Sequence, residues 1–304
     1  MNKKRFNDLS SHLKAKFGER TLKICIDGGF TCPTRDGLKS ANGCIFCSGR
    51  GSGDHLCPLP IKTQVQNYLD SYKKDRANKF IVYFQNFTNT YADINTLEQK
   101  YTEALSCSDK IVGIAIATRP DCINKDVVAL LKKLSNTYYV VVELGLQTAN
   151  EETGKKINRC YTNKDFTEAT SLLHDNGIDT IVHIMVGLPG ESHKDVVDTI
   201  NFINKSKIKG IKIHNTYILK NTFLETLYNN HEYTPIDYED YMEELIYILT
   251  HIRPELIVHR ISGDPPKSEF IAPSFCTNKK LILNGLTKLM HERHLYQGMY
   301  FNQK

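Results

Sequence analysis

The chain has no tryptophan, no long apolar run and no low-complexity segment. The first of these decides nothing. The second excludes helical membrane spans, because runs such as IVGIAIA and YYVVVEL fall far short of the roughly 20 residues that cross a bilayer. No membrane partner is therefore expected. The N-terminal MNKKRFNDLS is polar and basic with no apolar core, so no secretory signal is expected either. Charge of one sign is also scarce: 39 basic residues stand against 34 acidic ones, a net +5. That balance permits a nucleic-acid or phosphate partner without pointing to one. The basic doublets Lys73-Lys74, Lys132-Lys133 and Lys155-Lys156 read as solvated helix faces. With 304 residues, 40% of them hydrophobic, the chain can build one large α/β domain or two smaller ones.

Cysteine is present, nine times. An odd number without a secretory signal fits a reducing compartment, and a cytoplasmic location is expected. Three of the nine, Cys32, Cys44 and Cys47, share the stretch TCPTRDGLKSANGCIFCSGRGSG, which follows the short apolar run ICIDGGF. Eleven residues separate the first two and two separate the last pair. Three thiolates on one glycine-rich loop can hold three irons of a four-iron cluster and leave the fourth open to a small molecule. Two alternatives stay open at this point. Cys57 is near enough in sequence to close a structural zinc site, and a disulfide pair is also conceivable. Cys25, Cys107, Cys122, Cys160 and Cys276 are scattered among apolar or helical segments and read as small packing residues.

Strand and helix patterns alternate along the chain. Runs rich in β-branched and aromatic residues predict strands at Lys23–Asp27, Phe80–Gln85, Ile111–Thr118, Tyr138–Leu146, Thr180–Gly187 and Gly210–Tyr217. Amphipathic patterns between them predict helices at Thr63–Arg76, Asn95–Ser106, Lys125–Leu134, Asn163–Asn176 and His193–Lys205. Thr162 or Asn163 is placed to cap the fourth, and Gly177 follows its end. Near-continuous apolar strands alternating with helices imply a parallel sheet covered on both faces. Right-handed crossovers curl such a sheet into an open or closed barrel, with its chemistry at the carboxyl ends of the strands.

The unusual residues gather at those ends. After the first strand come the three cysteines with Phe46, which could pack on an adenine face or serve as an apolar plug. After the second come Gln85, Asn86, Thr88 and Asn89, whose amides and hydroxyls suit an ammonium, a carboxylate or a ribose. The third strand ends in Thr118, and the fourth in Gln147, with Arg159 beyond it as a candidate carboxylate clamp. The fifth ends in Gly187, Pro189 and Gly190, which allow close backbone approach to a ligand. His183 and His214 fall in or near strands and read as hydrogen-bonded barrel histidines rather than ligands. No catalytic side chain is singled out.

The cysteine loop, together with FQNFTNTYAD, ATRPDCI, VELGLQTANEETGKKINRCYT, HIMVGLPGES, HRISGDPPKSEFIAP and YQGMYF, resembles the radical S-adenosylmethionine (SAM) superfamily. The wide first cysteine gap is similar to the branch related to the catalytic subunit of Elongator, and the length to its stand-alone bacterial relatives. The resemblance runs from about Leu22 to Phe301. It implies an α/β fold, a partial (β/α)6 TIM-like barrel with a C-terminal α/β extension. Residues 1–21 would form an N-terminal segment, 22–217 the barrel core and 218–304 an extension covering the barrel mouth. It implies that Cys32, Cys44 and Cys47 ligate a [4Fe–4S] cluster and that the amine and carboxylate of SAM chelate the open iron. Gln85 to Thr90 would meet the methionine amine, Gln147 and Arg159 the ribose and carboxylate, and Gly187 to Gly190 the adenine. One electron from a reductase such as flavodoxin or ferredoxin would split SAM into methionine and a 5′-deoxyadenosyl radical. No acetyltransferase segment is recognised, so acetyl-CoA chemistry is not carried over. Relatives acting on the wobble uridine make tRNA the leading substrate class. A radical enzyme for a small metabolite or protein, and a non-catalytic zinc or iron–sulfur protein, are the alternatives. The RISGDPP segment from Arg260, containing Asp264, is the candidate for substrate contact in the extension, with Tyr238, Tyr241, Tyr247, His259 and Lys267 nearby in sequence.

Overall fold

The computed structural model describes residues 5–51, 53, 56–71 and 76–301. The strands are β1 (Thr21–Ile26), β2 (Lys79–Phe84), β3 (Ile111–Thr118), β4 (Tyr139–Gln147), β5 (Asp179–Val186), β6 (Gly210–Asn215), β7 (Ile218–Leu219), β8 (Ile257–Arg260) and β9 (Phe270–Ala272). Among the described residues, β1 to β6 followed by β8 form one seven-stranded parallel sheet in chain order. β7 and β9 make a separate antiparallel pair. β1 and β8 are the edges of the large sheet, so it curls into an open barrel rather than closing.

The helices between the first strands are α2 (Ile61–Asp70), α3 (Ile94–Leu105), α4 (Lys125–Ser135), α5 (Glu151–Lys156), α6 (Asn163–Asp175) and α7 (His193–Lys205), after an opening α1 (Leu9–Phe17). Their apolar faces explain the long apolar strands. Residues two apart on a strand share a face. Val82 and Phe84, Ile114 and Ile116, and Val140, Val142 and Leu144 point outward into the main core, where they meet Leu97, Tyr101, Leu131 and Phe166 of the helices. The alternate set, Ile81, Tyr83, Ala115, Val141 and Ile181, points inward and packs with Leu13 of α1. α1 therefore plugs the amino-terminal end of the barrel. Fully burying each such aliphatic side chain stabilises the fold by roughly 1.5–3 kcal/mol.

The local punctuation matches its expected use. Thr162 caps α6 in a reciprocal capping box with Asp165, and Gly177 beyond its end has φ +75°. The lysine pairs at 132–133 and 155–156 lie exposed in the last turns of α4 and α5. Lys73-Lys74, and the end of the helix expected over Thr63–Arg76, lie outside the described residues; α2 ends at Asp70.

Sequence reading yields six sheet strands, and the structure adds a seventh. Ile257–Arg260 pairs in parallel with β6, bringing part of the C-terminal region into the barrel wall. Its four residues include a histidine and an arginine, too short and polar a run to signal a strand. The rest of that region supplies α8 (Phe223–Asn229), α9 (Tyr238–His251) and α10 (Lys279–Glu292). No described helix is long and apolar enough to cross a membrane.

Candidate functional site

A cavity of about 210 Å³ sits at the carboxyl ends of the strands, and Cys32, Cys44 and Cys47 all line it. The loop that carries them is tied down by its own backbone. Cys47 N–H donates to the Cys44 carbonyl at 3.0 Å, and Arg35 holds the Ser48 carbonyl at 2.5 Å. Gly51 has φ +69°, and a Cβ there would come within 3.1 Å of the Phe87 ring, so the loop needs glycine at that position. Cys32 Sγ lies 3.0 Å from Thr34 Oγ1.

None of the nine cysteines forms a disulfide, so the disulfide alternative is not realised. Cys57 is exposed and does not line the cavity, which removes the fourth ligand of the zinc alternative. Among the described residues, no three His, Cys, Asp or Glu side chains converge tightly enough to hold a single metal ion. The three thiols line one cavity together. A hydrogen bond to Cys47, together with burial and the neighbouring sulfurs, pushes the Cys44 thiol well above its ordinary range. Three thiolates here would need metal cations to neutralise them, and the donor set fits an iron–sulfur cluster of more than one metal.

Below the thiols the cavity wall is amphipathic. Phe46, Phe87, Met185 and Leu219 give it apolar surface, while Gln85, Thr88, Thr118 and Gln147 offer polar groups. Thr88 Oγ1 is buried with no hydrogen-bond partner among the described residues. Gln147 takes φ +63° next to a β4–β5 register shift, and Tyr161 Oη–H donates to its Oε1 at 2.6 Å. That bond turns the Gln147 amide into the cavity with its N–H groups available to donate. Thr118 and Thr90 hydroxyls lie 2.6 Å apart.

The floor is a charged layer that sequence reading did not assemble. Glu143, fully buried, accepts from Lys23 at 2.5 Å, from Lys212, and pairs with His183 Nε2 at 2.8 Å. Burial alone would raise its pKa, but Lys212 and Lys23 outweigh that and hold Glu143 well below the usual carboxylate range. Burial, reinforced by Lys212, brings His183 down to about 4 despite Glu143. Tyr83, Glu143, His183 and His214 all face the cavity. The signal was present: each is a polar residue at an inward, period-two position of an otherwise apolar strand.

Other expected site residues stand elsewhere. Asn86 is buried and donates to Asp27. Asn89 donates to the carbonyls of Phe84, Asn86 and Ala117, tying β2 to β3. Neither lines the cavity. Arg159 does not point inward. Its guanidinium is fully buried behind the wall, donating to the carbonyls of Tyr161, Leu146 and Thr148 and to Glu151 and Asn163. Gly187 and Pro189 also lie outside the lining, and the Gly187 carbonyl accepts from Tyr233. In the extension, Tyr241 is buried with its hydroxyl on the Ile261 carbonyl, and Gly263 N–H donates to Asn215 Oδ1 beside the cavity.

Comparisons with known proteins agree with this geometry. Residues 40–203 match the model of the radical SAM superfamily, a span that holds Cys44 and Cys47 but starts after Cys32, and residues 208–292 match the Radical_SAM C-terminal domain. The protein YtqA of Bacillus subtilis (strain 168) is 38% identical over 303 residues, covering 99% of this chain and 94% of that one. A tRNA uridine(34) acetyltransferase of Dehalococcoides mccartyi is 27% identical over 202 residues, 66% of this chain and 42% of that one. Among solved structures, the archaeal Elp3 of Methanocaldococcus infernus shares the fold with a TM-score of 0.70 at 18% identity, covering 93% of this chain and 67% of that one. An open parallel barrel with a three-cysteine loop at its mouth, matched by a family model over more than half its length, makes this chain an enzyme of the radical SAM superfamily.

Proposed function

We propose that this enzyme binds a [4Fe–4S] cluster through Cys32, Cys44 and Cys47, cleaves SAM reductively, and uses the radical to modify a uridine of tRNA. The observation that carries the first part is the convergence of three cysteine thiols, none in a disulfide, on one cavity, with Cys57 outside it. When bound, the cluster supplies a low-potential electron to the sulfonium, giving methionine and a 5′-deoxyadenosyl radical. The electron would come from a flavodoxin- or ferredoxin-type reductase.

The chain's own residues hold and shield the reactants. The unpartnered Thr88 hydroxyl and the oriented Gln147 amide are placed to bond the polar groups of SAM. Phe46, Phe87 and Met185 supply the apolar wall an adenine needs and keep water from the radical. Arg35 sets a guanidinium beside the cysteine loop, favouring the negative charge of thiolate-bound metal. The tRNA assignment rests on the similarity to a tRNA uridine(34) acetyltransferase, a longer protein of which the match covers 42%.

The test is anaerobic. Reconstituted protein with dithionite and SAM should form 5′-deoxyadenosine, measured by mass spectrometry. Cys44→Ala should lose both the brown colour and the product, whereas Cys57→Ala should keep both. A fully loaded cluster that yields no product would overturn the radical chemistry. For the substrate, tRNA from a strain lacking the gene should gain a modified uridine on incubation, and an unchanged nucleoside profile would turn the search to metabolites or proteins.

A further inference from the structure

A second cavity, of about 720 Å³, opens at the gap between the sheet edges β1 and β8, with α1 and α10 as its side walls. It is strongly cationic. Arg5, Arg20, Lys23, Lys212 and Arg260 line it, against the single lining carboxylate of Asp8. At its floor, Lys23 and Lys212 share one carboxylate, Glu143, which also serves His183. Arg260 stands opposite Lys212 in the β6–β8 register, and its ion-pair partner Asp264, at 3.8 Å, is also engaged by Lys279.

The floor is thus short of negative charge. Burial, opposed by Glu143 and reinforced by Lys23 and Arg260, brings the Lys212 ammonium down to about 7. A second observation points the same way: His259, on the same wall, has its Nδ1 buried with no hydrogen-bond partner among the described residues. Leu9 and Leu13 of α1, with Leu283 and Met290 of α10, make the sides apolar. Buried cations that outnumber the one carboxylate they share are costly unless a further anion answers them.

We infer that this gap binds a small phosphomonoester, with its phosphate held by Lys23, Lys212 and Arg260 and its apolar body between α1 and α10. A terminal dianion matches the excess of cations better than a carboxylate, and it can reach a floor that lies inside the barrel wall. A backbone diester, carrying one charge and flanked by sugars, cannot. The volume falls in the range of small-molecule sites. The inference does not depend on the cluster chemistry.

Phenyl phosphate is a suitable probe, titrated calorimetrically into cluster-loaded protein, with phenol as the uncharged control and bulk tRNA as competitor. Wild type should bind phenyl phosphate with a Kd below about 1 mM and ignore phenol. Arg260→Gln, at a partly exposed site, should weaken binding by about tenfold or more with an unchanged melting temperature. Lys23→Gln should weaken it as well, which guards against an effect confined to one edge residue. No binding at about 10 mM probe, or equal binding by wild type and both variants, would overturn the site. Competitive displacement by tRNA would overturn the small ligand in favour of an RNA backbone.

Discussion

Replacing Glu143 by glutamine tests the charged floor directly. The carboxylate is fully buried and is the common partner of Lys23, Lys212 and His183. Glutamine keeps the shape but removes the charge, stranding Lys212 at 7% side-chain exposure. Breaking a buried pair in this way costs about 3–5 kcal/mol. The deficit should depend on pH. Lys212 titrates at about 7 in the intact layer, below its ordinary 10.5, because burial outweighs Glu143. Without Glu143 it falls further, so the folded variant sheds a proton that both the unfolded chain and the folded wild type still hold. Where the unfolded state binds more protons, stability rises with pH. The variant therefore recovers by up to about 1.4 kcal/mol per pH unit as pH climbs toward 7, and the difference is flat above it. Urea denaturation at pH 5 and pH 8 reads both numbers. Adding Lys212→Met should restore much of the loss, since an apolar side chain of similar volume needs no counter-ion. A Glu143→Gln deficit under about 1 kcal/mol at pH 5, or one identical at both pH values, would refute the electrostatic account.

Three further outcomes are expected. Arg159→Lys should cost about 2–4 kcal/mol in urea denaturation, because three ammonium donors cannot replace the guanidinium contacts to three carbonyls and two side chains; a cost below about 1 kcal/mol would show that the arginine is not a wall strut. Burial raises Glu191 to about 7, so the folded chain keeps a proton that the unfolded one releases, and stability falls between about pH 4.5 and 7. Glu191→Gln lacks that penalty and should gain up to about 3 kcal/mol on wild type between pH 5 and pH 8, with a constant difference arguing against it. Gly145→Ala would set a Cβ 2.4 Å from Gln147 Nε2, the movable end of that side chain. Weakened SAM binding with a melting temperature within a few degrees of wild type is expected, and unaltered SAM affinity would remove Gln147 from the site.

The strands were legible because a parallel sheet covered on both faces demands near-continuous apolar runs. β3 and α7 match their expected limits to the residue, and the other expected sheet strands differ by one or two at their ends. Ile257–Arg260 escaped notice because its strand character comes from pairing with β6, not from its own composition. Helix α1 escaped because its apolar residues are few and only Leu13 among them is fully buried.

The site divides in the same way. Cysteine spacing and the polar residues after each strand depend on local chain geometry, so the sequence by itself determined the three-cysteine loop, the strand ends that frame it and the family. Which side chain faces the cavity depends on the curl of the sheet and on what packs behind it. Arg159 and Gln147 looked alike as polar residues near a strand end, yet a positive φ turns one inward while three buried carbonyls and two side chains hold the other outside. Glu143, Lys23, Lys212 and His183 come from four strands separated by up to 189 residues, from Lys23 to Lys212. Only the tertiary structure could bring them together, because burying one such charge is unfavourable until the folded barrel supplies the others.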